Sequence, residues 1–194
     1  MYLILVMKRL FIGIPVQSTN AANLAETWRN DRELNDNRFS WTNPENWHIT
    51  LYFLGDTPVS EIDLLWRLID ASFGETRVFN TELNGVGVFP DTGNPKILWI
   101  GLKDIQPLLP AREKLGALLM QNGFAFDNKP LKPHLTLGRI KSLQNRQVFE
   151  ELLKDYGEFL FDNVTIDQIV LYESILTRQG PVYKPLFVKQ LIRE

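Results

Sequence analysis

Two histidines are all this chain has, and both open the same tetrapeptide, His48-Ile49-Thr50-Leu51 and His134-Leu135-Thr136-Leu137. Both tetrapeptides lie in apolar runs, residues 47–54 and 131–140, that read as β-strands. Side chains alternate between the faces of a strand, so His48 and Thr50 share one face while Ile49 and Leu51 take the other. The second copy has the same parity. Each strand can bury its aliphatic face and present an imidazole beside a hydroxyl on the opposite one. If the two strands meet, one pocket gains two imidazoles and two hydroxyls.

Imidazole titrates near pH 6.5, so it can give or take a proton close to neutrality. A neutral ring takes a proton from an attacking water while a charged one gives a proton to the departing oxygen. Each such transfer contributes roughly 10²- to 10⁴-fold. The threonine hydroxyls can donate to the oxygens of a phosphoryl group held between the rings, meeting negative charge as it develops. The chemistry indicated is displacement at phosphorus without a metal or other cofactor. Taken alone, a histidine in a strand is more often structural than catalytic; two in identical contexts, making up the whole complement, weigh the other way. The residues themselves do not say which ring donates. Competing chemistries fit less well. Neither motif has an acid at the near positions a metal site favours. There is no Gly-x-Ser-x-Gly elbow and no phosphate-cradling Gly-x-x-x-x-Gly-Lys loop.

The flanks carry a resemblance. Pro44-Glu45-Asn46-Trp47-His48-Ile49-Thr50-Leu51-Tyr52-Phe53-Leu54-Gly55 and Pro133-His134-Leu135-Thr136-Leu137-Gly138-Arg139 resemble the paired signatures of the two-histidine phosphoesterase superfamily. More narrowly they resemble the bacterial and archaeal RNA 2′,3′-cyclic phosphodiesterases, historically called 2′-5′ RNA ligases. Arg9-Leu10-Phe11-Ile12-Gly13-Ile14-Pro15, Gly87-Val88-Phe89-Pro90, Leu171-Tyr172-Glu173-Ser174 and Gly180-Pro181-Val182-Tyr183 extend the likeness over most of the chain. It implies a bilobal α+β fold in which both His-x-Thr strands face a central cleft. It implies hydrolysis of a terminal 2′,3′-cyclic phosphate to a 2′-phosphate, with His48 as proton donor and His134 as proton acceptor. Thr50, Thr136 and Arg139 would bind the phosphate. The substrates implied are RNA 3′ ends or small nucleotides with a cyclic phosphate. Reversible 2′-5′ RNA joining, or RNA-end binding without turnover, are the alternatives for the same cleft.

Two further side chains are judged by parity. Arg139 stands five residues past His134, so an unbroken strand would turn it to the opposite face; a bulge at Gly138 would bring it back. Tyr52 shares the parity of His48 and Thr50 and is the candidate to stack on a base. Phe53 and Trp47 have the other parity and belong to the core. Lys96, Lys132, Arg178 and Lys184 are further candidates to line a cleft, although scattered lysines are mostly solvated surface.

The remainder of the chain must position these groups. Its 194 residues suffice for one well-filled domain or two small lobes sharing a core. With 44% apolar and 23% charged residues, composition is that of a globular protein. A formal charge of -2 argues against gripping an extended duplex, which requires many phosphates to be neutralised. No cysteine is present, which excludes disulfides and thiolate metal sites and fits a reducing, cytoplasmic setting. The apolar start, residues 1–6, is too short for a secretory signal and has its positive charges on the wrong side. It reads as an upstream start or an extension of the first strand. No run approaches the length of a membrane span.

Along the chain, strands are expected at 9–16, 77–89, 96–103, 159–161, 164–176 and 182–190 besides the two motif strands. Helices are expected from Ser18, from Ser60 with Asp63 as a capping box, over 110–121 and over 142–156. Residues 30–46 read as a fading helix and a loop. Each His-x-Thr strand is followed by a helix and then strands, which predicts two similar αβ lobes. No linker divides them, so residues 1–194 read as a single bilobal domain, expected to be a monomer.

Overall fold

A computed structural model describes residues 6–178 and 180–193. In chain order the elements are β1 (Met7–Pro15), α1 (Thr19–Asn30), α2 (Arg32–Asn35), β2 (Arg38–Trp41), β3 (His48–Pro58), α3 (Ile62–Phe73), β4 (Phe79–Phe89), β5 (Ile97–Leu102), α4 (Leu109–Gln121), β6 (His134–Ser142), α5 (Arg146–Tyr156), β7 (Leu160–Ile166), β8 (Gln168–Thr177) and β9 (Gly180–Gln190). The strands form two antiparallel sheets, one in the order β3-β1-β8-β9 and the other β2-β6-β5-β4-β7. The expected α+β class with two antiparallel sheets and outer helices therefore holds. Residues 1–5 of the anticipated extension lie outside the described residues; the Val6 carbonyl accepts from Val59 N–H, one step beyond the end of β1.

The two sheets are not the two halves of the chain. β2, from the first half, pairs with β6 in the five-stranded sheet, while β8 and β9 complete the sheet that β1 and β3 begin. Helix α1 follows β1 but packs on β7 of the other sheet. The sequential strand-helix repeat thus marks a likeness of local pattern, and the partners of each strand come from further away. Short β2, Arg38-Phe39-Ser40-Trp41, alternates polar and apolar residues, but four residues lying between a fading helix and a loop do not read as a strand from sequence. What makes it a strand is the free edge of β6.

Local chemistry explains the helix ends. Ser18 caps α1 by accepting from Ala21 N–H, and Asn145 caps α5 through Val148 N–H. Gly123, at φ +77°, closes α4 in the left-handed region. The anticipated Ser60 capping box does not form. Val59–Glu61 make a 3₁₀ turn first, and α3 begins without a side-chain cap. Helices α3 and α4 pack on each other. Trp66 of α3 stacks on Phe187 of β9, and Tyr52 of β3 reaches α4, so this pair covers the four-stranded sheet. Phe149 of α5 lies against Phe39 of β2 on the five-stranded one. No helix among the described residues is long and apolar enough to cross a membrane.

Candidate active site

The register of the motif strands decides which side chains can meet. Against β1, Ile12 pairs with Tyr52 and Gly13 with Thr50, which leaves Leu51 unpaired. Against β5, Leu98 pairs with Gly138 and Trp99 with Thr136, which leaves Leu137 unpaired. Each motif thus carries a β-bulge at its fourth residue, and beyond a bulge the alternation of faces reverses. Burial follows the same sequence in both strands: His and Thr half-exposed, the next two residues buried, the sixth exposed, the seventh buried. The sixth residue, Phe53 in one strand and Arg139 in the other, joins the face of His and Thr.

Packing holds this register firmly. Ile49, Leu51, Leu135 and Leu137 are all at most 3% exposed. Burying such side chains is worth roughly 1.5–3 kcal/mol each. A one-residue slip that turned all four outward would cost on the order of 6–12 kcal/mol, comparable with the whole stability of a typical domain.

The bulge corrects the expectation for Tyr52. It is 2% exposed, its hydroxyl donates to the Arg112 carbonyl at 3.0 Å, and its ring meets Phe126 edge-on. The hydroxyl sits over Gly116, where an added Cβ would lie 2.4 Å away. Tyr52 is therefore a core tether between β3 and α4, not a base contact. Phe53, expected in the core, is instead 37% exposed and lines the cleft, with the Arg9 guanidinium 4.9 Å from its ring centre.

Strands β3 and β6 meet where the two sheets face each other. A cleft of about 430 Å³ opens there, lined among others by His48, Thr50, Phe53, Thr136, Arg139 and Tyr183. Of the candidates read from the sequence, His48, Thr50, Thr136 and Arg139 converge on it. His134 does not line this cavity; it borders a second one of about 520 Å³ on the face of β4 and β5. The two rings are close enough for the charge of His134 to act on His48. Lys132 lines the second cavity, whereas Lys96, Arg178 and Lys184 line neither.

Both imidazoles are held in the same way. His48 Nδ1 donates to the Asn46 carbonyl at 2.7 Å, and His134 Nδ1 donates to the Lys132 carbonyl at 2.6 Å. A carbonyl can only accept, so each neutral ring keeps its proton on Nδ1 and leaves the Nε2 lone pair free. His48 is packed against Phe11 at 4.7 Å and Tyr183 at 4.9 Å, with Gly13 beside it, where an added Cβ would come 3.5 Å from the ring. His134 stands edge-on to Phe89 at 4.9 Å. Burial lowers both pKa values below 6.5, partly offset by the carbonyl bonds; His48 is lowered further by the charge of His134. Burial raises the Tyr183 hydroxyl, while the charges of Arg139 and Arg9 pull it back. Arg139 of one sheet and Tyr183 of the other are thus neighbours across the cleft.

Arg9, Phe11, Phe53 and Tyr183 were not singled out as site residues from sequence. Phe53 was hidden by the bulge, and the other three by pairing between distant strands. The one available signal was that all four sit inside the segments that carried the family likeness. Among the described residues, no three His, Asp or Glu side chains cluster closely enough to hold a metal ion.

Two antiparallel sheets that meet at a cleft, each with one His-x-Thr strand, define a two-histidine phosphoesterase. Comparison with known proteins agrees: the model of the 2′-5′ RNA ligase superfamily matches residues 17–175, and the chain belongs to that family. It is 36% identical to the RNA 2′,3′-cyclic phosphodiesterase of Aeropyrum pernix over 74% of this chain and 81% of that protein. With the enzyme of the same name from Archaeoglobus fulgidus it shares 36% identity over 75% of this chain and 80% of the relative. Among solved structures, a protein of Thermus thermophilus superposes with a TM-score of 0.76 at 27% identity, covering 94% of this chain and 97% of that one. Escherichia coli LigT complexed with 3′-AMP has the same fold, with a TM-score of 0.75 at 20% identity over 97% and 100% of the two chains.

Proposed function

We propose that this protein is an RNA 2′,3′-cyclic phosphodiesterase, acting on RNA 3′ ends or small nucleotides that carry a cyclic phosphate. Water attacks phosphorus, the bond to the 3′ oxygen breaks, and a 2′-phosphate remains. The observation that carries this reading is the matched tethering of the two rings, each with Nδ1 bound to a carbonyl and Nε2 free. One free Nε2 takes the proton of water and the other, when charged, protonates the 3′ oxygen. Thr50, Thr136 and Arg139 hold the phosphate oxygens, the guanidinium through paired hydrogen bonds. Phe53 offers a face on which a base can stack. Curated relatives at 36% identity bear the name of this activity.

The two cavities support an assignment of roles. The 3′ oxygen leaves phosphorus but remains part of the nucleoside, which fits the cavity lined by Phe53, Arg139 and His48. His48 is then the nearer ring and the donor. In-line displacement brings the nucleophile from the opposite side, beside His134, the acceptor.

The test is product analysis on an oligonucleotide ending in a 2′,3′-cyclic phosphate, with chelator present. His48→Ala and His134→Ala are each expected to fold and to lose roughly 10²- to 10⁴-fold in rate. A double variant hydrolysing at the wild-type rate would place the chemistry elsewhere. Binding of RNA ends with no turnover at any pH would favour the non-enzymatic alternative.

A further inference from the structure

Asn46 holds more than the His48 ring. While its carbonyl accepts from His48 Nδ1, its side-chain amide donates to the Pro181 carbonyl at 3.1 Å. We propose that Asn46 is a positioning residue for the proton donor: its amide clamps the β8–β9 hairpin over the cleft face of the four-stranded sheet, and the carbonyl fixed by that clamp aims the His48 ring. For its catalytic consequence the proposal rests on the hydrolytic reading above.

Strand order shows what this bond demands. β3 and β9 are the opposite edges of the sheet β3-β1-β8-β9, about 14 Å apart if the sheet stayed flat. A 3.1 Å contact between the turn before β3 and the start of β9 therefore requires the hairpin to leave the sheet and fold back across it. Pairing shows where it bends. β1 pairs with β8 only as far as Glu173, and between β8 and β9 Leu171 pairs with Phe187 but Tyr172 with Pro185, which leaves Leu186 unpaired. A bulge at that point bends and twists the ribbon. Past the bend, the Tyr183 ring lies 4.9 Å from both Phe11 and His48 and 6.4 Å from Tyr172. Ser174, Leu176, Pro181 and Tyr183 all line the cleft that His48 lines.

Both ends of the bond lie where the sheet has stopped holding the chain. Val16 N–H donates to the Trp47 carbonyl, and Asn46 stands one residue further out, closing the 3₁₀ turn Pro44–Asn46. On the hairpin, Leu176 is 70% and Val182 50% exposed, so little packing fixes its end. The Asn46 amide joins the two beside the ring. The second motif is built without such a clamp. Leu102 N–H donates to the Pro133 carbonyl as Val16 does to that of Trp47, but the Lys132 side chain makes no hydrogen bond among the described residues; its ammonium lies 5.5 Å from the Phe89 ring centre. The clamp thus serves the one ring assigned as donor, which must stand within hydrogen-bond reach of the departing oxygen.

Asn46→Ala removes the amide and keeps the backbone carbonyl, at a half-buried position where the fold loses little. One neutral hydrogen bond shifts an equilibrium by roughly two- to tenfold. Amide hydrogen exchange at residues 174–177 and 180–184 should quicken by about that factor, while β4 and β6 exchange as before. On a cyclic-phosphate dinucleotide kcat should fall by a similar factor, with KM changed less. Burial is the largest cause of the lowered His48 pKa, so freeing the hairpin should move it up towards 6.5. The other groups around this ring give no such signal: Tyr172 and Tyr183 are raised above 10.0, Arg9 and Arg139 are fixed cations, and His134 should titrate as in the wild type. With two histidines in the chain, His134→Gln assigns the ring resonances. Asn46→Gln, which keeps an amide donor, should recover part of each change. Unaltered exchange in Asn46→Ala overturns the clamp; faster exchange with kcat or the His48 titration unmoved overturns the positioning role. A wild-type protein that fails to hydrolyse the dinucleotide overturns the hydrolytic reading instead, and exchange and titration still decide the clamp.

Discussion

Lowered pKa values at both histidines predict a pH profile that ordinary imidazoles would not give. The productive pair carries one proton, on the donor, and none on the acceptor. For two groups that both titrate below 6.5, the singly protonated population is largest below 6.5. Raising the pH empties it, about tenfold for each unit beyond the upper pKa. The free protein near neutrality therefore holds mostly two neutral rings, and kcat/KM, which reports the free enzyme, should peak below 6.5 and fall through neutrality. Substrate alters this. A phosphate anion at ~4 Å, in an effective dielectric of about 20, favours the charged imidazole by about 4 kcal/mol, equivalent to roughly three pKa units before screening. The basic limb of kcat should then lie about one to three units above that of kcat/KM. Initial rates on a cyclic-phosphate dinucleotide from about pH 5 to 9 give both curves. Coincident limbs, or a kcat/KM optimum above neutrality, would show that burial does not govern these rings.

The bulge in β3 separates two neighbouring aromatics by role. Phe53→Ala is expected to raise the KM for a nucleotide substrate roughly tenfold through lost stacking; Tyr52→Phe should leave KM alone and cost about 1 kcal/mol of stability, for the hydrogen bond to the Arg112 carbonyl. Denaturant melts together with steady-state kinetics read both, and the opposite pattern would mean the strand keeps simple alternation. Arg139→Lys keeps the charge but loses the planar fork, so kcat/KM should drop by roughly tenfold. An unchanged value would remove Arg139 from the phosphate.

Much of the site was legible in the sequence because strand parity is local. Two His-x-Thr-Leu runs sufficed to put an imidazole and a hydroxyl on one face and aliphatics on the other, and the structure brings His48, Thr50, Thr136 and Arg139 to one cleft. The family could be recognised from the same residues and their flanks. Parity failed one step further on, at Leu51 and Leu137, because a bulge is set by the partner strand: only pairing with β1 and β5 shows that one residue is skipped. That skip exchanged Tyr52 for Phe53 and recovered Arg139. Pairing at long range likewise decided the architecture, sending β2 to the sheet of β6 and returning β8 and β9 to that of β1. The Nδ1 tethers, the Asn46 bond to the hairpin and the lowered pKa values arise from atoms brought near by folding. Residue types fixed what each group could do; the third dimension fixed which groups meet, and how dry their meeting place is.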